Sequence, residues 1–330
     1  MALLFAVSTI VLLRKDAFVR WWRSGPKVTE IWIYPIKSCR GILMKSCKIT
    51  KRGLENDRIF MLVDKKNKFV SQRTHPKMAL IDTRIENDVL VVSAPNMRPL
   101  CIDLSHVSGR PICLVSDKKV NVSVWGDPCE AEEVADCEWF SEFLLGVKSD
   151  SIRLVRMTDE CKRPTDPVYA PQGQAAFSDG FPFLLVSEES LECVNSYLEN
   201  PVSMVNFRPN IVVRGSGRAF AEDTWKRIVF HQSPTPDQSS HHKREPIAMN
   251  VVKPCSRCKM PTVDPTTGCF DPHNEPTRTM KRFRTGKQLG FRNEKWAEEV
   301  FFCQNVDHAS QEGGILAVGD SVRVESSQRF

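Results

Sequence analysis

Apolar and polar residues alternate in short runs along most of the chain, the period of a strand with one buried face. In VTEIWIY, from Val28, the alternation falls on Ile31 and Ile33. Further strand candidates are IFMLV from Ile59, VLVVS from Val89, VNVSV from Val120, NIVVR from Asn210, VFFCQ from Val300 and SVRVE from Ser321. Helical periodicity stands out in two places. One runs roughly from Cys137 to Leu145. The other starts at Ser187, a good capping residue, with Glu188 and Glu189 in its first turn and Leu191, Val194 and Leu198 on one face. Many strands and few helices predict a β-rich α+β fold built around barrels.

Two stretches break the pattern. DECKRPTDPVYAPQGQ, from Asp159, holds three prolines and no periodicity, and reads as a connector. It sets a domain boundary near 155–175 and divides the chain into 28–155 and 156–330. HQSPTPDQSSHHKREP, from His231, is rich in Pro, Ser and His and reads as a disordered surface insertion over 231–245. His241 and His242 fall inside it, and a low-complexity loop is a poor frame for metal ligands.

The N-terminal segment, 1–27, is of another kind. Ala2 to Leu13 is apolar apart from Ser8 and Thr9, and five basic residues against Asp16 follow by Lys27. Twelve residues fall short of the ~20 that cross a bilayer as a helix. No basic region precedes the run, as a secretory signal would require. The basic residues follow it, an order that keeps the downstream chain in the cytosol. The segment resembles a signal anchor of the mitochondrial outer membrane; a buried N-terminal helix is the other reading.

Composition narrows the function classes. The chain has 330 residues, 41% hydrophobic and 26% charged, enough to bury a sizeable core. Its net charge is +6, but 1–27 carries +4 of it, leaving a nearly neutral body and no footprint for nucleic acid. The twelve cysteines are scattered, many in apolar or strand-like contexts such as Cys47, Cys101 and Cys303. That usage fits free thiols in a reducing compartment.

The most informative stretch is VVKPCSRCKMPTVDPTTG, from Val251. A redox dithiol needs its two cysteines at the start of a helix, and Pro261 and Pro265 argue against one there. A zinc site can be written as Cys255, Cys258, Cys269 and His273, a respectable spacing. A single soft thiolate ligand is the third reading. Arg257 beside Cys258 would favour the thiolate. Spacing alone leaves the zinc and thiolate readings open.

Several motifs in order add a resemblance. NFRPNIVV from Asn206, AEDTW from Ala221, CSRCKMPTVDPTTG from Cys255 and VGDSVRV from Val318 together resemble a MOSC domain. YPIKSCRG from Tyr34 and DRIFMLVD from Asp57 resemble the β-barrel domain that precedes it. The resemblance runs from about residue 28 to 326 and is to the molybdenum enzymes that reduce amidoximes. It implies an N-terminal β-barrel-like domain followed by a MOSC β-barrel, with Mo-molybdopterin in the cleft between them. It also implies that Cys258 ligates molybdenum, that Cys255 is structural, and that the zinc spacing is coincidence. Lys37, Ser38, Arg58, Arg208, Asn210, Ser256 and Arg257 match the family's cofactor contacts; arginine forks suit phosphate and pterin. Asp179, in FSDGFPF, matches an acidic residue near the metal and could manage protons; as part of a DG pair it is equally a turn residue.

The activity so implied is reduction of N-hydroxylated compounds, amidoximes and hydroxylamines among them. The resemblance also implies that electrons come from cytochrome b5 and its NADH-dependent reductase; the sequence, with no Gly-rich dinucleotide fingerprint and no cysteine array for an iron–sulfur cluster, agrees with an outside donor. The protein is expected to be a monomer at the mitochondrial outer membrane, its catalytic part facing the cytosol. The alternative is a non-catalytic MOSC module that binds the cofactor or carries a persulfide on Cys258.

Overall fold

A computed structural model describes residues 25–104, 115–134, 138–232, 244–308 and 312–327. Most of residues 1–27 and of the 231–245 insertion, including His241 and His242, lie outside them.

The fold is β-rich, and every predicted strand is present. Lys27–Ile33, Phe60–Asp64, Val89–Ser93, Val115–Val124, Ile211–Arg214, Phe301–Asp307 and Ser321–Ser327 cover the seven predicted runs. The two helices are Trp139–Leu145 and Glu188–Asn195. Ser187 caps the second as expected, its side chain accepting from the Ser190 amide.

The largest sheet closes on itself. Its order is Ile211–Arg214, Phe183–Ser187, Phe301–Asp307, Ile247–Ser256, Trp225–His231, Ser321–Ser327 and Lys27–Ile33, and Lys27–Ile33 then pairs back to Ile211–Arg214. Closure leaves this seven-stranded barrel without a free edge. Inside it sit Ile31, Ile33, Phe183, Leu185, Ile211, Ile228, Phe230 and Val306. Alternate residues of the same strands, Val186, Val212 and Phe302, point outward, where Val194 of the Glu188–Asn195 helix joins them in a second core. The period of two thus serves two apolar layers at once.

The other barrel-like unit is built on a four-stranded sheet in the order Phe60–Asp64, Ile152–Met157, Asp127–Val134, Val115–Val124. Its first two strands in this order are buried on both faces. Phe60, Leu62 and Leu154 pack toward Ile81, Leu90 and Phe140, while Met61, Val63 and Val155 pack toward Val122, Val124 and Phe177. The two units interlock, because the first strand in the chain, Lys27–Ile33, is a member of the large barrel. The segment between this strand and Phe60 passes from one unit to the other, and YPIKSCRG and NDR lie in it.

Candidate functional site

The site begins where a barrel strand ends irregularly. Ile247–Ser256 pairs with Phe301–Asp307, but the register slips between Val251 and Lys253 and again between Pro254 and Ser256. Proline cannot donate to a ladder, and a bulge is where a strand tolerates it. At the second slip the extra residue is on the partner strand, where Cys303 adopts φ +70°, and Ser256 still pairs with Phe301. The Arg257 amide keeps one bond, to Val300 O at 2.7 Å, and the chain then leaves the sheet. Beyond Cys258 comes a 3-10 turn, Met260–Thr262, with Pro261 inside it. No α-helix starts at the cysteine pair, so the frame of a redox dithiol is missing. Among the described residues no group of three or more Cys, His, Asp or Glu side chains could hold a metal ion, so the four-ligand zinc spacing is not assembled. The ten described cysteines are all free thiols.

The two cysteines differ. Cys258 is exposed, and its sulfur meets the Met260 amide at 3.5 Å. Cys255 is half-buried, and burial pushes its thiol above the usual range although Arg257 opposes the shift. The sequence suggested that Arg257 would favour a thiolate at Cys258. Its hydrogen bond goes instead to Cys255 Sγ, at 3.1 Å, and a second goes to Phe207 O at 3.0 Å.

Opposite these cysteines, three residues with side chains adopt the left-handed region: Ser38 (φ +70°), Arg58 (φ +50°) and Arg208 (φ +57°). Non-glycine residues seldom do so, and strain of this kind gathers at functional sites. Tyr34 organises two of them. Its buried ring lies 4.3 Å from the Arg58 guanidinium carbon and 4.2 Å from that of Arg208, and its hydroxyl donates to Pro209 O at 3.1 Å. The platform requires glycine at 41, where a Cβ would sit 2.6 Å from Tyr34 Cε1.

Buried Asp57 accepts from the Tyr34 amide and from Arg58 Nη1, at 2.8 and 2.6 Å. Arg58 also donates to Asn210 Oδ1 at 3.0 Å and to Arg208 O at 3.1 Å. Asn210 in turn donates to Trp32 O at 3.1 Å. Arg208 Nη1 donates to Cys39 O at 2.6 Å, and burial lowers its pKa to about 10.

On the third side, Lys37 Nζ donates to Phe177 O at 2.8 Å and to Asp179 Oδ1 at 2.5 Å. Burial holds the Lys37 pKa down, and Asp179 only partly restores it. Asp179 is opposed by desolvation, but the ammonium beside it wins, and its carboxyl is held below the usual range. Its side chain is 65% exposed, so the pair adds little to stability. Arg163, fully buried, fixes the segment that carries Asp179 by donating to the carbonyls of Ala176, Ser178 and Asp179 at 2.6–2.8 Å and to Asp127 at 3.0 Å.

All nine residues named from the sequence line one cleft: Lys37, Ser38 and Arg58; Asp179; Arg208 and Asn210; Ser256, Arg257 and Cys258. Sequence reasoning missed Tyr34, Asp57, Arg163 and Arg73. Tyr34 and Asp57 lie inside the quoted motifs, but nothing local marks a stacking platform or its counter-ion. The cleft's lining holds five cationic side chains, counting Arg73, and one carboxylate. Arg208 Nη2, Arg257 Nε and Ser178 Oγ are buried without a hydrogen-bond partner among the described residues. Unpaired buried donors are rare because each costs about 1–3 kcal/mol. Here they line a cationic cleft with a sulfur exposed in it, which suits an anionic, polar group with a soft metal.

Two family descriptions cover most of the described fold. Residues 25–146 match the MOSC N-terminal beta barrel domain and residues 172–323 match the MOSC domain. The chain is 33% identical over 284 residues to mitochondrial amidoxime-reducing component 1 of Mus musculus, which covers 81% of this chain and 76% of that protein. With mitochondrial amidoxime reducing component 2 of Bos taurus it shares 32% identity over 305 residues, 89% of this chain and 82% of the other. With component 1 of Homo sapiens the figures are 31% over 268 residues, 78% and 72%. Two adjoining domain matches, and identity of this level along most of the chain, make this a MOSC-domain protein homologous to the mitochondrial amidoxime-reducing components 1 and 2.

Proposed function

We propose that the cleft holds Mo-molybdopterin and that the protein reduces N-hydroxylated compounds, such as amidoximes and hydroxylamines, to amidines and amines. The observation that carries this reading is convergence: nine residues drawn from separate parts of the chain line one cationic cleft, with the Cys258 sulfur exposed in it. Cys258 Sγ is the soft ligand. Arg208 and Arg257 offer buried N–H groups that have no acceptor among the described residues, and Lys37, Ser38, Arg58, Asn210 and Ser256 complete the hold on phosphate and pterin. When bound, the cofactor supplies the two-electron chemistry that breaks an N–O bond.

The chain's own part is orientation and protons. Reducing N–OH to N–H with loss of water consumes two electrons and two protons. Lys37 Nζ is the proton-bearing atom of the Lys37–Asp179 pair, and the burial that lowers its pKa eases release. Asp179, ionised and open to solvent, links that atom to water.

Electrons arrive one at a time from cytochrome b5, itself reduced by its NADH-dependent reductase. The relatives are mitochondrial by name. We place this protein at the mitochondrial outer membrane, held through 1–27, with the cleft on the cytosolic side. Among the described residues no helix is long and apolar enough to cross a membrane; the anchor-like run lies outside them.

Elemental analysis tests the reading directly. Protein purified from cells that make the cofactor should carry molybdenum stoichiometric with the chain, and it should reduce an aryl amidoxime only when both electron-transfer proteins and NADH are added. Zinc in its place would sink the proposal. So would metal-free protein with a sulfane sulfur on Cys258, which would mark a carrier module.

A further inference from the structure

The cleft has a mouth that the reading above does not use. Trp125 and Gly126 form a two-residue hairpin loop between paired Val124 and Asp127, with φ of +55° and +99°. Such a loop favours Asn, Asp or Gly at its first position, and tryptophan there is strained. The indole is not a core side chain; it is 57% exposed. It is nevertheless fixed, since Nε1 donates to Asp179 Oδ1 at 3.1 Å and Phe69 meets the ring edge-on at 5.5 Å.

Against this aromatic wall lies Arg73, which lines the cleft. Its guanidinium carbon is 4.0 Å from the Trp125 ring centre and 5.2 Å from that of Phe69. Nε donates to Ser71 Oγ at 3.3 Å, and Arg73 makes no ion pair among the described residues. Stacking fixes the plane of the guanidinium, and among the described residues its terminal N–H groups have no hydrogen-bond partner, the arrangement that receives a carboxylate bidentately. An exposed, strained tryptophan pinned to a cleft carboxylate and stacked on an arginine that makes no ion pair among the described residues contributes little to the fold. It makes an edge for something flat and negatively charged.

We infer that Arg73 and Trp125 select the substrate, favouring planar N-hydroxylated compounds that carry an anionic substituent. This rests on the reading of the cleft as an N-reductive site.

The test compares an aryl amidoxime with the same compound bearing a para carboxylate, using the full-length molybdenum-loaded protein with its electron donors. The carboxylate should be preferred about tenfold in kcat/KM at low salt, the size of one charge-assisted bond. Arg73→Gln should erase that preference, and Arg73→Lys should restore part of it. Both variants should keep their molybdenum and their melting temperature. Trp125→Ala should lower kcat/KM for both aryl compounds by about threefold relative to a methylhydroxylamine, as loss of stacking predicts. Equilibrium titration of the carboxylate compound, followed by tryptophan fluorescence, gives a readout independent of turnover and should weaken about tenfold in Arg73→Gln. Selective binding without turnover would sink the proposed reduction and leave the recognition edge standing. Equal binding of the two compounds by the wild type would overturn the inference. So would loss of molybdenum from Arg73→Gln, which would assign Arg73 to the cofactor.

Discussion

Arg257 donates to Cys255 Sγ at 3.1 Å, while Cys258 Sγ, three residues further along the chain, is exposed and meets the backbone amide of Met260 at 3.5 Å. The two sulfurs of one short motif therefore do different work. Cys255 terminates a buried guanidinium. Cys258 is left available to something outside the protein.

Cys258→Ser should lose its molybdenum and its reductase activity, since a hydroxyl is a hard and weak substitute for a thiolate. Cys255→Ser should keep most of both, because the hydroxyl still accepts from Arg257. Cys255→Ala removes that acceptor and should cost about 1–3 kcal/mol in urea unfolding. Equal loss of activity in the two serine variants would return the pair to a shared dithiol or metal role.

Arg163→Met should be among the most damaging single changes. The guanidinium is fully buried and satisfies three carbonyls and Asp127. Methionine fills much of the volume but leaves those acceptors unpaired, a loss of about 3–5 kcal/mol. The Asp179 segment loosens with it, so turnover in the surviving folded protein should fall as well. A stability change under about 1 kcal/mol would mean that water replaces the guanidinium without penalty.

Gly41→Ala should disturb the cleft without touching it. The new Cβ would lie 2.6 Å from the Tyr34 ring, and the ring carries both Arg58 and Arg208. Displacing it should lower cofactor retention and cost about 1–3 kcal/mol, the usual range for overpacking. Tyr34→Phe keeps the stacking surface and removes the bond to Pro209 O, at about 1 kcal/mol. If both variants hold molybdenum as well as the wild type does, the platform has no part in binding.

The Lys37–Asp179 pair sets a pH limit. The folded pKa of Asp179 is depressed by Lys37. The pair's contribution is therefore complete above the unfolded value of about 3.9 and is lost as pH falls through the lower folded value. Trp125 bonds the same carboxylate oxygen and reports the event. The fluorescence difference between wild type and Trp125→Phe should be flat from pH 7 to about 4 and change only below that. A midpoint near pH 5 would contradict the ion pair.

A chain beginning at Gly25 should fold and keep its cleft, because the barrel starts at Lys27 and no described contact of the site needs an earlier residue. By the anchor reading it should also leave the membrane fraction. Fractionation and molybdenum content check the two halves separately: membrane retention would refute the anchor, and an empty cleft would tie the N-terminus to the fold.

The alternation of Ile31 with Ile33 was enough to predict that strand, because a half-buried strand writes its one apolar face directly into the sequence. The serine cap at 187 was legible for a similar reason, being a local bond to Ser190. Continuous apolar runs gave a weaker signal, because a strand buried on both faces has no period: they found Phe60–Asp64 and missed Phe183–Ser187, and Asp127–Val134 was missed since its polar residues take their pairing from neighbours on either side. The motifs named nine cleft residues in order, but only tertiary structure brought them onto one surface. It alone set Arg257 on Cys255 rather than Cys258, turned Ser38, Arg58 and Arg208 into the left-handed region, and set Arg73 on Trp125. Those outcomes depend on contacts between residues far apart in the chain, in an interlocked pair of barrels. Residue spacing carries periodicity and local bonds; it does not carry which distant groups will meet, or which of two neighbouring sulfurs an arginine will reach.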